Sequence, residues 1–251
     1  MNSIEIGQGS PLILIHGWGM NASIWDGIEG ELSKNNKLII VNLPGMGGCE
    51  NINNYSMDSL VDELNLLIPI NSIIIGWSLG GQLAIAYQRK YSKKIKKLIL
   101  VSTTPCFISK QGWVHGIKKE VFEKFSKQLV LNWRKTIEQF FLLQLYGMPN
   151  MRKVANNLQQ KIFELGDPEP NALIDSLELL TTNDLRSDLY KVDVETLIIS
   201  GGRDKIIPPI ASVYMAEKIS GASLEIFENA NHLPFLTEKH RFVDTVLRFI
   251  K

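Results

Sequence analysis

Six short apolar runs, each closed by turn residues, limit the folds open to this chain: "PLILIHG", "KLIIVNLPG", "SIIIGWS", "KKLILVST", "ETLIISGG" and "SLEIFENA". Their Ile, Leu and Val occupy both alternating faces, as expected for strands of a parallel sheet covered on both sides. Helical patterns fall between them, at roughly 22–34, 58–68, 80–91, 210–219 and 238–250. This alternation predicts an α/β fold with a mostly parallel, doubly wound sheet. One region breaks the rhythm. From Phe107 to Leu189 no strand-like run occurs, only helical stretches such as "EVFEKFSKQLVLNWRKTIEQFFLLQLYG", punctuated by "YGMPN" and "GDPEP". Three or four helices are therefore expected as a lid at 107–189, inserted into a core formed by 1–106 and 190–251.

A chain of 251 residues at 45% hydrophobic content is long enough for one large core. Its net charge of +1 gives no reason to expect nucleic acid as a partner. Cys49 and Cys106 are far apart and lack metal-ligand spacing, which argues against a disulfide framework or zinc site and fits a reducing cytoplasm. The start "MNSIEIGQGS" has no basic residue, and the "PLILI" that follows is too short for a signal peptide or membrane span. The expectation is a cytoplasmic, monomeric protein that needs no metal or redox cofactor and has no membrane partner.

The chemistry concentrates at "SIIIGWSLGGQLAIAY". Gly76-Trp77-Ser78-Leu79-Gly80 fits Gly-x-Ser-x-Gly between a buried strand and a helix, the arrangement that leaves a serine on a tight, strained turn. Side chains at Gly76 and Gly80 would collide with neighbouring backbone. The serine oxygen then stands at the carboxyl edge of the sheet, near a helix N-terminus that favours a developing anion.

A serine hydroxyl needs a base to take its proton and a carboxylate to orient that base. His232 in "ENANHLPF" and Asp204 in "SGGRDKIIP" both follow strands, and the chain order Ser, Asp, His suits this fold class. His240 falls inside a helix and His115 within the insertion, where both read as surface residues. Asp184, Asp188 and Asp193 precede the strand ending near Gly201 and are assigned to its opposite end. In "LILIHGWGM", the loop after the first apolar run offers the backbone N–H of Trp18, with that of Leu79, as an oxyanion hole. His16 reads as a hydrogen bonder that shapes this loop. Gly17-x-Gly19-x-x-Ala22 also fits a dinucleotide fingerprint, but "LIIVNLPG" places Asn42 where a ribose-binding acid would be required.

Together, "HGWGMNASIW", "NLPGMGGC", "GWSLGGQLA", "STTPCF", "GGRDKIIP" and "NHLPF" resemble the α/β-hydrolase superfamily. "HGWG", "GWSLGG", "TPCF" followed by Trp113 and "GIK", and "RKTIEQFFLLQ" with "NDLR", resemble more narrowly the pimeloyl-[acyl-carrier protein] methyl ester esterases of biotin synthesis. The resemblance implies Ser78 as nucleophile, His232 as base then acid, and Asp204 as its orienter. It further implies an acyl channel lined by Phe140, Phe141, Leu142, Leu143 and Gln144. An acidic carrier protein would then dock on the insertion. Residues 107–165 hold ten Lys/Arg against four Glu, a net +6, leaving the remainder at −5. The resemblance places Lys135 and Arg152 where the family carries arginines, whereas Gln139 and Asn156 replace two others, so that either docking is weaker or Lys153 and its neighbours substitute. Asn42, where relatives have Asp, is expected to be structural. The alternatives from sequence are another small-ester hydrolase, a menaquinone-pathway lyase of the same fold, or a ligand-binding module. A dehalogenase reading fails because position 78 is serine.

Overall fold

The computed structural model describes residues 1–251. Seven strands form one sheet: β1 (Asn2–Ile6), β2 (Ser10–Ile15), β3 (Asn36–Asn42), β4 (Ser72–Trp77), β5 (Ile95–Val101), β6 (Glu195–Gly201) and β7 (Ser223–Phe227). Their spatial order is β1-β3-β2-β4-β5-β6-β7, and every pairing is parallel except β1 with β3. The six apolar runs each become a strand. β4, at the centre, is buried at every position, so both faces of "SIIIGW" are covered as its composition requires.

The seventh strand, β1, was not expected. "NSIEI" alternates and leaves Ile4 40% exposed, because an antiparallel edge strand buries only part of one face.

Ten helices accompany the sheet: α1 (Glu29–Leu32), α2 (Met57–Leu67), α3 (Leu79–Tyr91), α4 (Lys119–Leu131), α5 (Trp133–Gln144), α6 (Met151–Glu164), α7 (Pro170–Thr182), α8 (Pro209–Lys218), α9 (Pro234–Thr237) and α10 (Lys239–Ile250). The single helix expected over 22–34 is instead a 3-10 turn at Ala22–Trp25 and the one-turn α1, separated at Gly27, whose φ of 95° a helix cannot contain. No helix is long and apolar enough to cross a membrane. Both cysteines are buried and unpaired.

The insertion between β5 and β6 contains four helices, α4 to α7. "EVFEKFSKQLVLNWRKTIEQFFLLQLYG" breaks at Asn132, which closes α4 and caps α5 by accepting from the Lys135 N–H. Residues 107–118 are not helical. They form an irregular loop with bridges Ile108–Ile117 and Lys110–Trp113. The insertion leaves and rejoins the sheet through a narrow neck, where Leu185 N–H donates to Pro105 O at 2.7 Å beside a Cys106–Asp184 bridge. Ile137, Phe141, Leu158 and Leu173 share one continuous hydrophobic cluster with β2 and β4, so the insertion has no separate core.

Candidate active site

β4 ends at Trp77 and α3 begins at Leu79, leaving Ser78 alone to reverse the chain. Its φ of 55° and ψ of −117° lie where an L-residue is strained by about 1–3 kcal/mol. Surrounding bonds hold it there. Ser78 N–H donates to Val101 O at 3.0 Å, and the Thr103 hydroxyl donates to Ser78 O at 2.6 Å. The flanking glycines are required by packing. A Cβ on Gly76 would lie 2.5 Å from Gly80 O, and one on Gly80 would lie 2.3 Å from Ile15 O. The β2 loop, β4 and α3 thus meet backbone to backbone at the nucleophile elbow.

Asp204 and His232 follow β6 and β7 and are both buried. The loops carrying them are stitched together by Gly202 N–H to Phe227 O at 2.8 Å and Arg203 N–H to Ala230 O at 2.9 Å. Asp204 Oδ2 meets His232 Nδ1 at 2.7 Å. Its other oxygen accepts the N–H groups of Ile206 at 2.8 Å and Ile207 at 2.9 Å, which locks the carboxylate plane. His232 Nε2 is buried and has no hydrogen-bond partner within the protein. With the carboxylate on Nδ1, the proton of a neutral ring sits on Nδ1 and Nε2 is a free acceptor.

The backbone N–H of Trp18 has no acceptor in the protein, and Leu79 opens α3, where a backbone N–H has no intrahelical partner. A Cβ on Gly17, beside Trp18, would lie 3.2 Å from Ser78 Cβ, so this loop passes directly over the serine. His16 is fully buried; Nε2 accepts from Leu43 N–H at 3.1 Å and Nδ1 donates to Gly17 O at 2.8 Å. Burial holds its pKa down at about 4, so the ring is neutral and shapes the loop. Asn42 accepts from Ala22 N–H at 2.7 Å and donates to Asn2 at 2.9 Å, a structural role.

The remaining candidates separate. His240 is exposed and His115 half-buried against Trp113. Asp188 and Asp193 accept from Arg89 and Gln88 at the C-terminal end of α3, away from Ser78 at its start. Asp184, expected at the same end, lies instead at the neck beside Cys106, where Arg186 and Lys110 occupy its carboxylate.

Beside Trp18 lies a cavity of about 310 Å³ between the insertion and the core, with walls that include Phe107, Phe122, Phe125 and Leu177. Of the five residues Phe140 to Gln144, only Phe140 and Leu143 line it. Consecutive helix positions point about 100° apart, so Phe141 and Gln144 turn inward and are buried, with Leu142 half-buried between. Lys135, Arg152 and Lys153 are exposed on α5 and α6 without a carboxylate partner, whereas Arg134 pairs with Asp167 and Lys161 with Asp26.

Sequence reasoning missed Trp77, whose Nε1–H donates to His232 O at 2.9 Å, and Asn21, whose Nδ2–H donates to Ile162 O at 2.7 Å. Neither contact has a spacing signal, because each joins segments more than a hundred positions apart.

Residues 10–239 match the model of the α/β hydrolase fold. The chain is 32% identical to the pimeloyl-[acyl-carrier protein] methyl ester esterase of Nitrosospira multiformis, covering 98% of this chain and 97% of that protein. It is 36% identical to the enzyme of the same name from Wigglesworthia glossinidia brevipalpis, covering 98% and 96%. Among solved structures, an esterase from Exiguobacterium antarcticum superposes with a TM-score of 0.91 at 26% identity, covering 99% of this chain and 94% of that one. A bromoperoxidase from Bacillus anthracis gives 0.93 at 20% identity, covering 99% and 94%, a likeness of fold. The chain belongs to the α/β-hydrolase fold family and, within it, to the family of pimeloyl-[acyl-carrier protein] methyl ester esterases.

Proposed function

We propose that this protein is a serine carboxylesterase that hydrolyses the methyl ester of a pimeloyl group borne by acyl-carrier protein, in biotin synthesis. The observation that carries the chemistry is the buried His232–Asp204 pair, whose Nε2 is left as a free acceptor at the sheet edge that presents Ser78.

In this reading the Ser78 hydroxyl attacks the ester carbonyl while His232 Nε2 takes its proton. The oxyanion rests on the N–H groups of Trp18 and Leu79, aided by the N-terminus of α3. Asp204 holds the ring by Nδ1 and stabilises the imidazolium. His232 then protonates the departing methoxide, and methanol leaves an acyl-enzyme. A water molecule, deprotonated by the same nitrogen, attacks that acyl-enzyme and releases the carboxylic acid and Ser78.

The apolar cavity beside Trp18 suits a medium-length acyl chain, whose burial contributes about 0.8 kcal/mol per methylene. The unpaired cations Lys135, Arg152 and Lys153 suit an acidic carrier. The test is genetic and direct. A biotin-requiring strain lacking this esterase should grow without biotin when given the wild-type chain, and should not when given Ser78→Ala. Growth supported by Ser78→Ala would overturn the assignment.

A further inference from the structure

The loop at 16–22, which carries one of the proposed oxyanion donors, is fastened to all four helices of the insertion. Trp18 Nε1–H donates to Leu173 O of α7 at 3.0 Å. The same indole packs edge-on against Phe125 of α4 at 5.5 Å and Phe140 of α5 at 5.2 Å. Asn21 Nδ2–H donates to Ile162 O of α6 at 2.7 Å. Ile162 lies in the last turn of α6, where carbonyls lack intrahelical partners, so Asn21 satisfies a group the helix cannot. Its other amide atom accepts from Ser23 N–H at 3.0 Å and starts the next turn of the loop. On the core side the loop packs against Trp77 and Gly47, but its hydrogen bonds to the core lie at its ends, from Leu43 to His16 and from Ala22 to Asn42. Between those ends the fastenings through Trp18 and Asn21 run to the insertion.

From this we infer that Asn21 is a positioning residue for the oxyanion hole, and that the insertion sets the place of the Trp18 N–H as well as covering the substrate. The inference rests on the catalytic reading above. An oxyanion donor is useful only if it is fixed before the charge develops, since reorganising it during reaction forfeits the stabilisation. The amide of Asn21 is buried, lies outside the acyl cavity and bridges helix and loop with both ends occupied. Asp in its place would keep the acceptor for Ser23 and the shape. It would lose the donor to Ile162 O and set a carboxylate against the negative C-terminal end of α6.

The experiment uses p-nitrophenyl acetate, whose acyl group is too short to fill the cavity, with kcat expressed per active site titrated by a fluorophosphonate. Asn21→Asp and, separately, Trp18→Phe, which removes the bond to Leu173 O while keeping a ring, should each lower kcat about tenfold with KM within twofold of wild type. That split marks a loss felt only in the transition state. A purely structural role would lower the melting temperature and the number of titrated sites, leaving kcat per site unchanged. That result, or a rise in KM at constant kcat, would overturn the inference. Failure of the wild type to be labelled at Ser78 would instead overturn the catalytic assignment itself.

Discussion

Trp77 and His232 are joined by a 2.9 Å hydrogen bond from the indole N–H to the backbone carbonyl, with their rings 5.3 Å apart. The residue before the nucleophile therefore carries the loop of the base, and serine and histidine are set by one fully buried side chain. Replacing Trp77 by Phe should keep the fold but strand the His232 carbonyl, costing about 1–3 kcal/mol of stability. Ester turnover should fall more than binding, as steady-state kinetics with a soluble ester will show. Unchanged kcat would detach Trp77 from the catalytic geometry.

Ser78 offers a separate test, because its backbone strain and its chemistry can be divided. Ser78→Gly should abolish esterase activity, while relief of the positive φ outweighs the extra chain entropy of glycine by about 1 kcal/mol. A denaturant midpoint higher than wild type in an inactive variant is the expected result, and a lower midpoint would contradict the strain.

The helical phase of α5 separates cavity wall from core. Phe141→Ala, at a fully buried position, should cost about 3–5 kcal/mol irrespective of substrate. Leu143→Ala, at a position 44% exposed on the cavity wall, should cost little stability but shift the preference between short and medium acyl esters. Equal stability losses in the two variants would refute this division.

His16 makes stability depend on pH with a defined sign. Its folded pKa, lowered to about 4 by burial, lies below the ordinary 6.5, so the neutral ring is the form the fold favours. Its contribution is present above about pH 6.5 and is lost as pH falls towards 4, a change of about 3 kcal/mol at 1.36 kcal/mol per unit. Urea unfolding of wild type and His16→Asn at pH 7 and pH 4 should show the gap between them narrowing by that amount. A constant gap would mean His16 does not titrate with unfolding.

The three free cations on α5 and α6 predict an ionic-strength effect restricted to the carrier-bound substrate. Turnover at subsaturating carrier-bound ester should fall from low salt to 0.5 M, whereas p-nitrophenyl acetate turnover should not. Parallel salt curves would remove electrostatic docking from the account.

The strands were legible because "SIIIGW" and its neighbours are short, apolar on both faces and closed by turn residues, as strands of a covered sheet are. The elbow was legible because strand, glycines and helix are contiguous, and Asp204 and His232 because each follows a strand in the required order. β1 escaped because "NSIEI" buries so little that its alternation carries weak information. Resemblance aligns Phe140 to Gln144 in a line, whereas a helix distributes them around an axis, so the five do not share one wall. Trp77 and Asn21 were invisible for another reason: their partners are backbone carbonyls, which every residue possesses.

The hydrogen bond between Leu185 and Pro105 has a consequence for how such a chain diversifies. The chain from Cys106 to Asp184 leaves and rejoins the sheet at one closed neck, so a change in the length of that segment shifts no register in β5 or β6. Doubling a loop adds only about 0.6 kcal/mol of closure entropy. Substrate range can drift above the neck while the strands below keep their spacing, provided each new roof still offers carbonyls for Trp18 and Asn21 to grip.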